Sequence, residues 1–306
     1  MDHHRTLEGL SLERSWLTVG VFDGLHRGHL ELVRRLVSGA HAAGAPAVVL
    51  TFFPHPSVVL GRQADVAYLT LPDEKAALLG DLGVDRVITL PFTPELASQS
   101  AEAFMQAVTG SLGVQRLVIG YDFALGRNRE GNTARLTELG QHFGYRTEVI
   151  PAFQVNGRVI SSSGIRARLL AGQVAEAAED LGRYYRVGGP VIHGDGRGRH
   201  INVPTANLAY PPEKLIPANG IYATWAWLDG QRIAGATNIG INPTFTPERT
   251  STSLETHLLD FRGDLYGREL SLEFVARLRG EEKFASVEAL LAQIQADIDR
   301  TREVLG

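Results

Sequence analysis

Gly20-Val21-Phe22-Asp23-Gly24-Leu25-His26-Arg27-Gly28-His29-Leu30 joins an apolar run to a helical pattern. The run, residues 16–22, reads as a buried strand. Residues 30–43 repeat apolar side chains at Leu32, Val33, Leu36, Val37 and Ala40, the spacing of a helix with one buried face. Strand, glycine turn and helix in that order begin the alternation that decides the fold. Gly24 and Gly28 allow the backbone to come close to a ligand. Free amides and the positive end of the helix dipole make such a turn an anion site. His26 and His29 in that place can donate hydrogen bonds to a phosphate whose charge grows during transfer. The chemistry this favours is attack on the α-phosphate of a nucleotide. The plainer account is two histidines three apart on a polar helix end. Zinc fits less well, because the HExxH spacing, a nearby third ligand and cysteine are all missing from the sequence.

Outward from the turn, strand and helix patterns alternate through the first 150 residues. Strands are expected at 47–52, 86–90, 116–120 and 146–150, and helices at 102–112 and 136–143. Such alternation predicts a parallel sheet covered on both faces, with ligands beyond the carboxyl ends of its strands. His26, His55 and Asp122 each follow an expected strand, so they are expected to converge on one cleft.

The texture changes near Gly182. A last helix is expected at 174–181, and 182–185 reads as a joint, which divides the chain into domains 1–182 and 183–306. Short strands at 185–192, 220–227, 232–239, 253–261 and 269–278, separated by Gly, Pro and Asn, suggest a small antiparallel barrel. A helix at 287–304 closes it.

The barrel half carries its own polar set. Gly194-Asp195-Gly196-Arg197-Gly198-Arg199 can cradle phosphates through backbone amides, or be a structural turn. In Pro204-Thr205-Ala206-Asn207 a hydroxyl and an amide oxygen lie two residues apart, on one face of an extended segment. Oxygen ligands of that kind suit Mg²⁺ held jointly with nucleotide phosphates. Alternation in Ser253-Leu254-Glu255-Thr256-His257-Leu258 puts Glu255 and His257 opposite Leu254 and Leu258. A carboxylate pointing into a barrel is costly unless paired or functional. Glu255 is therefore either a general base for a hydroxyl nucleophile or an edge-strand glutamate in solvent.

Composition bounds the partners. The 306 residues give a net charge of −4, which argues against a large nucleic-acid footprint. Of 30 basic residues only Lys75, Lys214 and Lys283 are lysines. Zero cysteines exclude disulfides and thiolate metal sites and fit an intracellular protein. No signal peptide and no apolar run of membrane length is seen, so a cytoplasmic setting is expected, with neither membrane nor nucleic acid as partner.

The chain resembles the bacterial bifunctional riboflavin kinase/FAD synthetase family. Ten blocks occur in order: GVFDGLHRGH, TFFPHP, LVIGYDFALGRNREGN, ISSSGIR, LGRYY, HGDGRGRHINVPTANL, NGIYA, TNIGINPTF, LETHLLDFRGDLYG and RLRGEEKF. The resemblance implies a Rossmann-like nucleotidyltransferase domain that adenylylates FMN to FAD, then an antiparallel β-barrel kinase domain that phosphorylates riboflavin to FMN. Both steps would use ATP and Mg²⁺. It implies that His26 and His29 stabilise adenylyl transfer, with the FMN phosphate as direct nucleophile. Ser161, Ser162, Ser163 and Arg166 match the second nucleotide motif, where hydroxyls and a guanidinium at a helix start favour an anion. Asp122 and Phe123 match the block lining the nucleotide and flavin cleft, and His55 the TFxPHP block. Thr205 and Asn207 take the metal and phosphate role, Glu255 becomes the base for the ribityl hydroxyl, and Arg279 falls near the flavin and nucleotide sites. One departure is Ile201-Asn202-Val203, where the family usually shows a Leu-Gly-Phe-like run. It keeps open a monofunctional FMN adenylyltransferase with a silent barrel. A non-enzymatic flavin or RNA-binding regulator is the other alternative, with only Tyr184 and Tyr185 to stack among the arginines of 183–199.

Overall fold

The computed structural model describes residues 1–62, 66–155, 157–194, 203–242 and 251–306. Gly196, Arg197, Gly198 and Asn202, named above, lie outside the described residues. The chain forms two compact units, Met1–Ser162 and Ser163–Gly306.

In the first unit, β1 (Asp2–His4), β2 (Ser15–Val19), β3 (Ala47–Phe53), β4 (Arg86–Pro91), β5 (Val114–Gly120) and β6 (Arg146–Ile150) form one sheet. Its order is β1-β4-β3-β2-β5-β6, and every pairing is parallel. Successive strands run outward from β2 in one direction and from β5 in the other. The carboxyl ends of β2 and β5 therefore form the switch point where open α/β sheets bind ligands. Helices α1 (Arg27–Ala42), α2 (Pro56–Val59), α3 (Pro72–Asp81), α4 (Pro94–Ser98), α5 (Ala101–Leu112) and α6 (Thr133–Phe143) connect them. One core packs Val33, Leu36 and Leu79 against Val49 and Val87. The other packs Met105, Leu112, Leu136 and Leu139 against Leu17, Leu50 and Leu117. Burial on both faces is why these strands read as unbroken apolar runs. A short hairpin, β7 (Gln154–Val155) and β8 (Arg158–Val159), follows β6.

Two expected boundaries change at the turn. The strand stops at Val19 rather than residue 22, because Phe22 (φ 50°), Gly24 (φ 78°) and Leu25 (φ 41°) adopt left-handed backbone that no strand tolerates. The helix starts at Arg27 rather than residue 30, because His26 supplies its N-cap.

Helix α7 (Ser162–Leu170) and helix α8 (Val174–Leu181) precede a closed barrel. Its strands are β9 (Tyr185–Ile192), β10 (Ala206–Leu208), β11 (Gly220–Leu228), β12 (Gln231–Asn242), β13 (Ser251–Leu258) and β14 (Glu269–Arg279). The antiparallel order β10-β13-β12-β11-β14-β9 is closed by pairing β9 to β10. Helix α9 (Val287–Leu305) packs against β11, β12 and β14. Tyr222, Leu254, Leu272 and Phe274 fill the barrel. Among them Thr224, Thr237 and Thr256 form a fully buried hydroxyl chain with links of 2.7 and 2.9 Å, so each polar group keeps a partner. Leu254, Thr256 and Leu258 occupy the inside of β13, which decides the face that alternation left open. Glu255 and His257 lie on its outer face, because the strand turns its apolar set to the core.

Candidate active sites

The turn between β2 and α1 is tied down from several sides. The buried Asp23 carboxylate accepts from Leu69 N–H (3.2 Å), Thr70 N–H (3.0 Å) and the Thr70 hydroxyl (3.3 Å). The Thr70 hydroxyl accepts from Gly24 N–H at 3.0 Å, so that amide is already used inside the protein. The Ser162 hydroxyl donates to the Asp23 carbonyl at 2.8 Å. His26 Nδ1 accepts from His29 N–H at 3.4 Å, which also occupies one amide expected to be free. An accepting Nδ1 leaves the proton on His26 Nε2 in the neutral ring. Gly28 makes room for this arrangement: a Cβ there would lie 3.3 Å from the His26 ring.

The His26 and His29 rings stack with centroids 3.7 Å apart. His29 Nδ1 is buried and has no hydrogen-bond partner. Burial, then the neighbouring His26 ring and the Lys75 ammonium, hold His29 well below the ordinary histidine value, so it is neutral at pH 7. A neutral imidazole with an unpartnered nitrogen fits a site awaiting a hydrogen-bonding ligand.

Beyond the strand ends lies a cleft of about 880 Å³. Phe52, Phe92, Phe104 and Phe123 give it apolar walls, and Arg62, Arg127 and Arg129 give it cationic edges. His55 and Asp122 both line it, together with Gly20 and Val21 of the turn; His26 is not among its lining residues. His55 caps α2, its Nδ1 accepting from Ser57 N–H at 3.1 Å. Gly126 (φ 74°), Asn128 (φ 53°) and Arg129 (φ 59°) are left-handed along its edge, a cluster typical of binding segments. Ser161 and Ser163 are exposed at the start of α7, and Arg166 lies on that helix.

In the second unit a cavity of about 330 Å³ is lined by Thr205, Asn238, Glu255, His257 and Arg279 under α9. Asn207 sits directly opposite Glu255 across β10 and β13, and Asn238 opposite it across β12. The Thr205 hydroxyl donates to Glu255 Oε2 at 3.3 Å. His257 Nδ1 lies 2.8 Å from the Pro204 carbonyl and anchors the segment carrying Thr205. At Gly194 a Cβ would fall 2.3 Å from the Asn207 amide, so glycine there makes room for that side chain. Arg279 does not present a free fork. Its guanidinium grips the Asp297 carboxylate at 2.9 and 2.7 Å, joining β14 to α9.

Asp297 lies outside the motif blocks, and its place follows from helix docking. Asn238 falls within TNIGINPTF, but its place opposite Glu255 follows from strand register. Among the described residues no group of three or more His, Cys, Asp and Glu is suited to a metal. The oxygen set Thr205, Asn207 and Glu255 instead fits a hard cation.

A riboflavin kinase family model matches residues 181–305 and an FAD synthetase model residues 10–164. The bifunctional riboflavin kinase/FMN adenylyltransferase of Pseudomonas fluorescens is 38% identical over 93% of this chain and 91% of its own. That of Listeria monocytogenes is 37% identical over 94% and 91%, and that of Escherichia coli K12 35% over 95% and 92%. A crystal structure of a macrolide-efflux protein from Streptococcus pneumoniae superposes with TM-score 0.89 at 29% identity, covering 98% of each chain. Among the described residues no helix is long and apolar enough to cross a membrane.

Proposed function

The chain belongs to the bifunctional riboflavin kinase/FMN adenylyltransferase family, and on that premise we propose which residues carry each reaction. The enzyme phosphorylates riboflavin to FMN and adenylylates FMN to FAD, with ATP as donor in both steps and Mg²⁺ as the usual metal.

For adenylylation, an FMN phosphate oxygen attacks the α-phosphorus of ATP as the bond to pyrophosphate breaks. His26 Nε2–H and the neutral His29 ring donate to the phosphate as charge builds, without changing protonation state. Ser161, Ser162, Ser163, Arg166 and the turn glycines, Gly24 and Gly28, hold the rest of the nucleotide. The Phe-walled cleft with His55, Asp122 and Phe123 takes the flavin side. For phosphorylation, the Glu255 carboxylate removes the proton of the ribityl hydroxyl as that oxygen attacks the γ-phosphorus and ADP leaves. The Thr205 hydroxyl and Asn207 amide would hold Mg²⁺ beside the phosphates, and Gly194, Gly196, Arg197 and Gly198 would contact the phosphates. When bound, the metal neutralises phosphate charge. Arg279, through Asp297, shapes the cavity wall.

The observation that carries this assignment is that Thr205, Asn207 and Glu255 meet on one outer barrel face, whereas His26 and His29 meet at the switch of the sheet. We place the domain joint at Gly182, the left-handed cap of α8 (φ 75°), beside the start of the riboflavin kinase match at residue 181. The setting we propose is cytoplasmic, with ATP, riboflavin and FMN as partners and neither nucleic acid nor membrane.

Chromatography of flavins after incubation with riboflavin, ATP and Mg²⁺ tests the assignment. His29→Ala should stop at FMN. Glu255→Ala should leave riboflavin untouched yet convert supplied FMN to FAD. Loss of both reactions in either folded variant refutes the two-site assignment.

A further inference from the structure

Lys75 has no part in the assignment above, yet it is 4% exposed and lies against the adenylylation turn. It projects from α3, and its Nζ donates to the Val21 carbonyl at 2.6 Å and to the Thr51 hydroxyl at 3.2 Å. The Thr51 hydroxyl, from β3, donates to the same Val21 carbonyl at 3.0 Å. Turn, helix and central strand are thus joined in a closed triangle of hydrogen bonds. The charged and titratable groups acting on this ammonium are the Asp23 carboxylate of the turn and the His29 ring of α1, while β3 offers only a neutral hydroxyl.

A buried ammonium carries a large desolvation cost, and an apolar side chain in a packed interior generally does better. Retention of a cation here needs a reason beyond packing. Val21 lies both in the turn and on the flavin-side cleft, so fixing its carbonyl fixes the run of backbone that leads to His26. The same ammonium opposes protonation of His29.

We propose that Lys75 is a positioning residue for FMN adenylylation: its ammonium clamps the Val21 carbonyl to β3 and thereby holds the turn that delivers the His26–His29 pair to the nucleotide. The inference rests on the reading of that pair as adenylyl-transfer residues. Burial brings Lys75 down to about 8, with Asp23 opposing the shift. The clamp is therefore charged below that pH and weakens as pH rises through it, when only a neutral amine remains to donate.

The test uses the full chain as wild type, Lys75→Met, Lys75→Arg and His29→Ala. FMN adenylylation is measured as kcat and KM from about pH 6 to about pH 10. Thermal unfolding and riboflavin phosphorylation are measured on the same preparations. Lys75→Met should lose on the order of tenfold to hundredfold in adenylylation kcat, the scale of losing one charged hydrogen bond that holds the turn in place. Its riboflavin phosphorylation should be unchanged. Wild-type adenylylation should fall as pH passes about 8. Lys75→Arg should recover most of the rate and keep it to higher pH, because guanidinium stays charged.

Wild-type kcat in Lys75→Met overturns the proposal. So does an arginine variant with the wild-type alkaline loss, or one as inactive as Lys75→Met at every pH. If Lys75→Met does not fold, the comparison of wild type with Lys75→Arg decides alone. Retained adenylylation in His29→Ala refutes the underlying reading, and is distinguished by leaving the Lys75 pH profiles intact.

Discussion

At His29 the surroundings decide the proton. The residue is half-buried with its Nδ1 shielded from solvent, and desolvation, His26 and Lys75 all favour the neutral form. That neutrality is what the proposed donor role asks of it, and it has a thermodynamic consequence. An unfolded chain protonates this histidine near 6.5, whereas the folded one resists. The unfolded state therefore gains protons first as pH falls, and folding stability drops below about pH 6.5. Between about pH 7 and about pH 5 this single group should therefore lower stability. Urea unfolding of the wild type and His29→Phe at those two pH values checks it: the acid loss should be smaller in the variant. Equal acid losses would mean that folded His29 accepts a proton. Glu255 lies instead on the outer face of its strand within reach of the Thr205 hydroxyl, lining the barrel cavity.

Elements place these residues, and glycine sets how closely they approach. Gly189 in β9 lies against the end of β10: a Cβ there would fall 1.8 Å from the Ala209 carbonyl oxygen. That obstacle is backbone, and Ala209 N–H is also bonded to the Pro190 carbonyl at 3.0 Å. β10 has three residues, Ala206–Leu208, so it must shift as a whole and take Asn207 with it. Gly189→Ala should therefore cost the barrel about 1–3 kcal/mol. Differential scanning calorimetry should show it, with riboflavin phosphorylation falling further than FMN adenylylation. Equal activities and an unchanged transition would show that β10 yields freely. The same scale explains what the sequence could disclose. β9, β6 and α8 are bounded by Gly, Pro or charged residues around apolar patterns, and their expected limits match the observed ones. Helix α3 went unread because its buried face, Lys75, Ala76 and Leu79, includes a lysine and breaks the apolar period. The β2–α1 turn misled because Phe22 and Leu25 take left-handed backbone that only glycine would have advertised. Alternation in β13 separated Glu255 from Leu254 but did not say which face was inside. The motif blocks supplied the candidate site residues, Asn238 among them, whereas the placing of Asn238 opposite Glu255 and of Asp297 against Arg279 depends on register and docking that no local pattern encodes.

Across the whole molecule, among the described residues the lining of the Phe-walled cleft belongs to the first unit and that of the barrel cavity to the second. FMN is the product of one reaction and the substrate of the other, and the residues proposed for the chemistry of each, His26 with His29 and Glu255, lie in different units. Chains disabled at opposite sites should therefore complement each other through free FMN. Mixing His29→Ala with Glu255→Ala in riboflavin, ATP and Mg²⁺ should yield FAD after a lag that neither variant alone can pass. The lag follows from magnitudes: at a typical kcat of about 10 s⁻¹, about 1 µM of the kinase-competent chain makes roughly 10 µM FMN each second. FMN then needs seconds to minutes to reach a KM of about 10 µM to 1 mM, after which FAD accumulates steadily. Raising only the adenylylation-competent variant should steepen FAD formation without hastening FMN. If each variant keeps its single activity yet the mixture makes no FAD, FMN must be delivered within one chain, and independence of the two cavities is refuted.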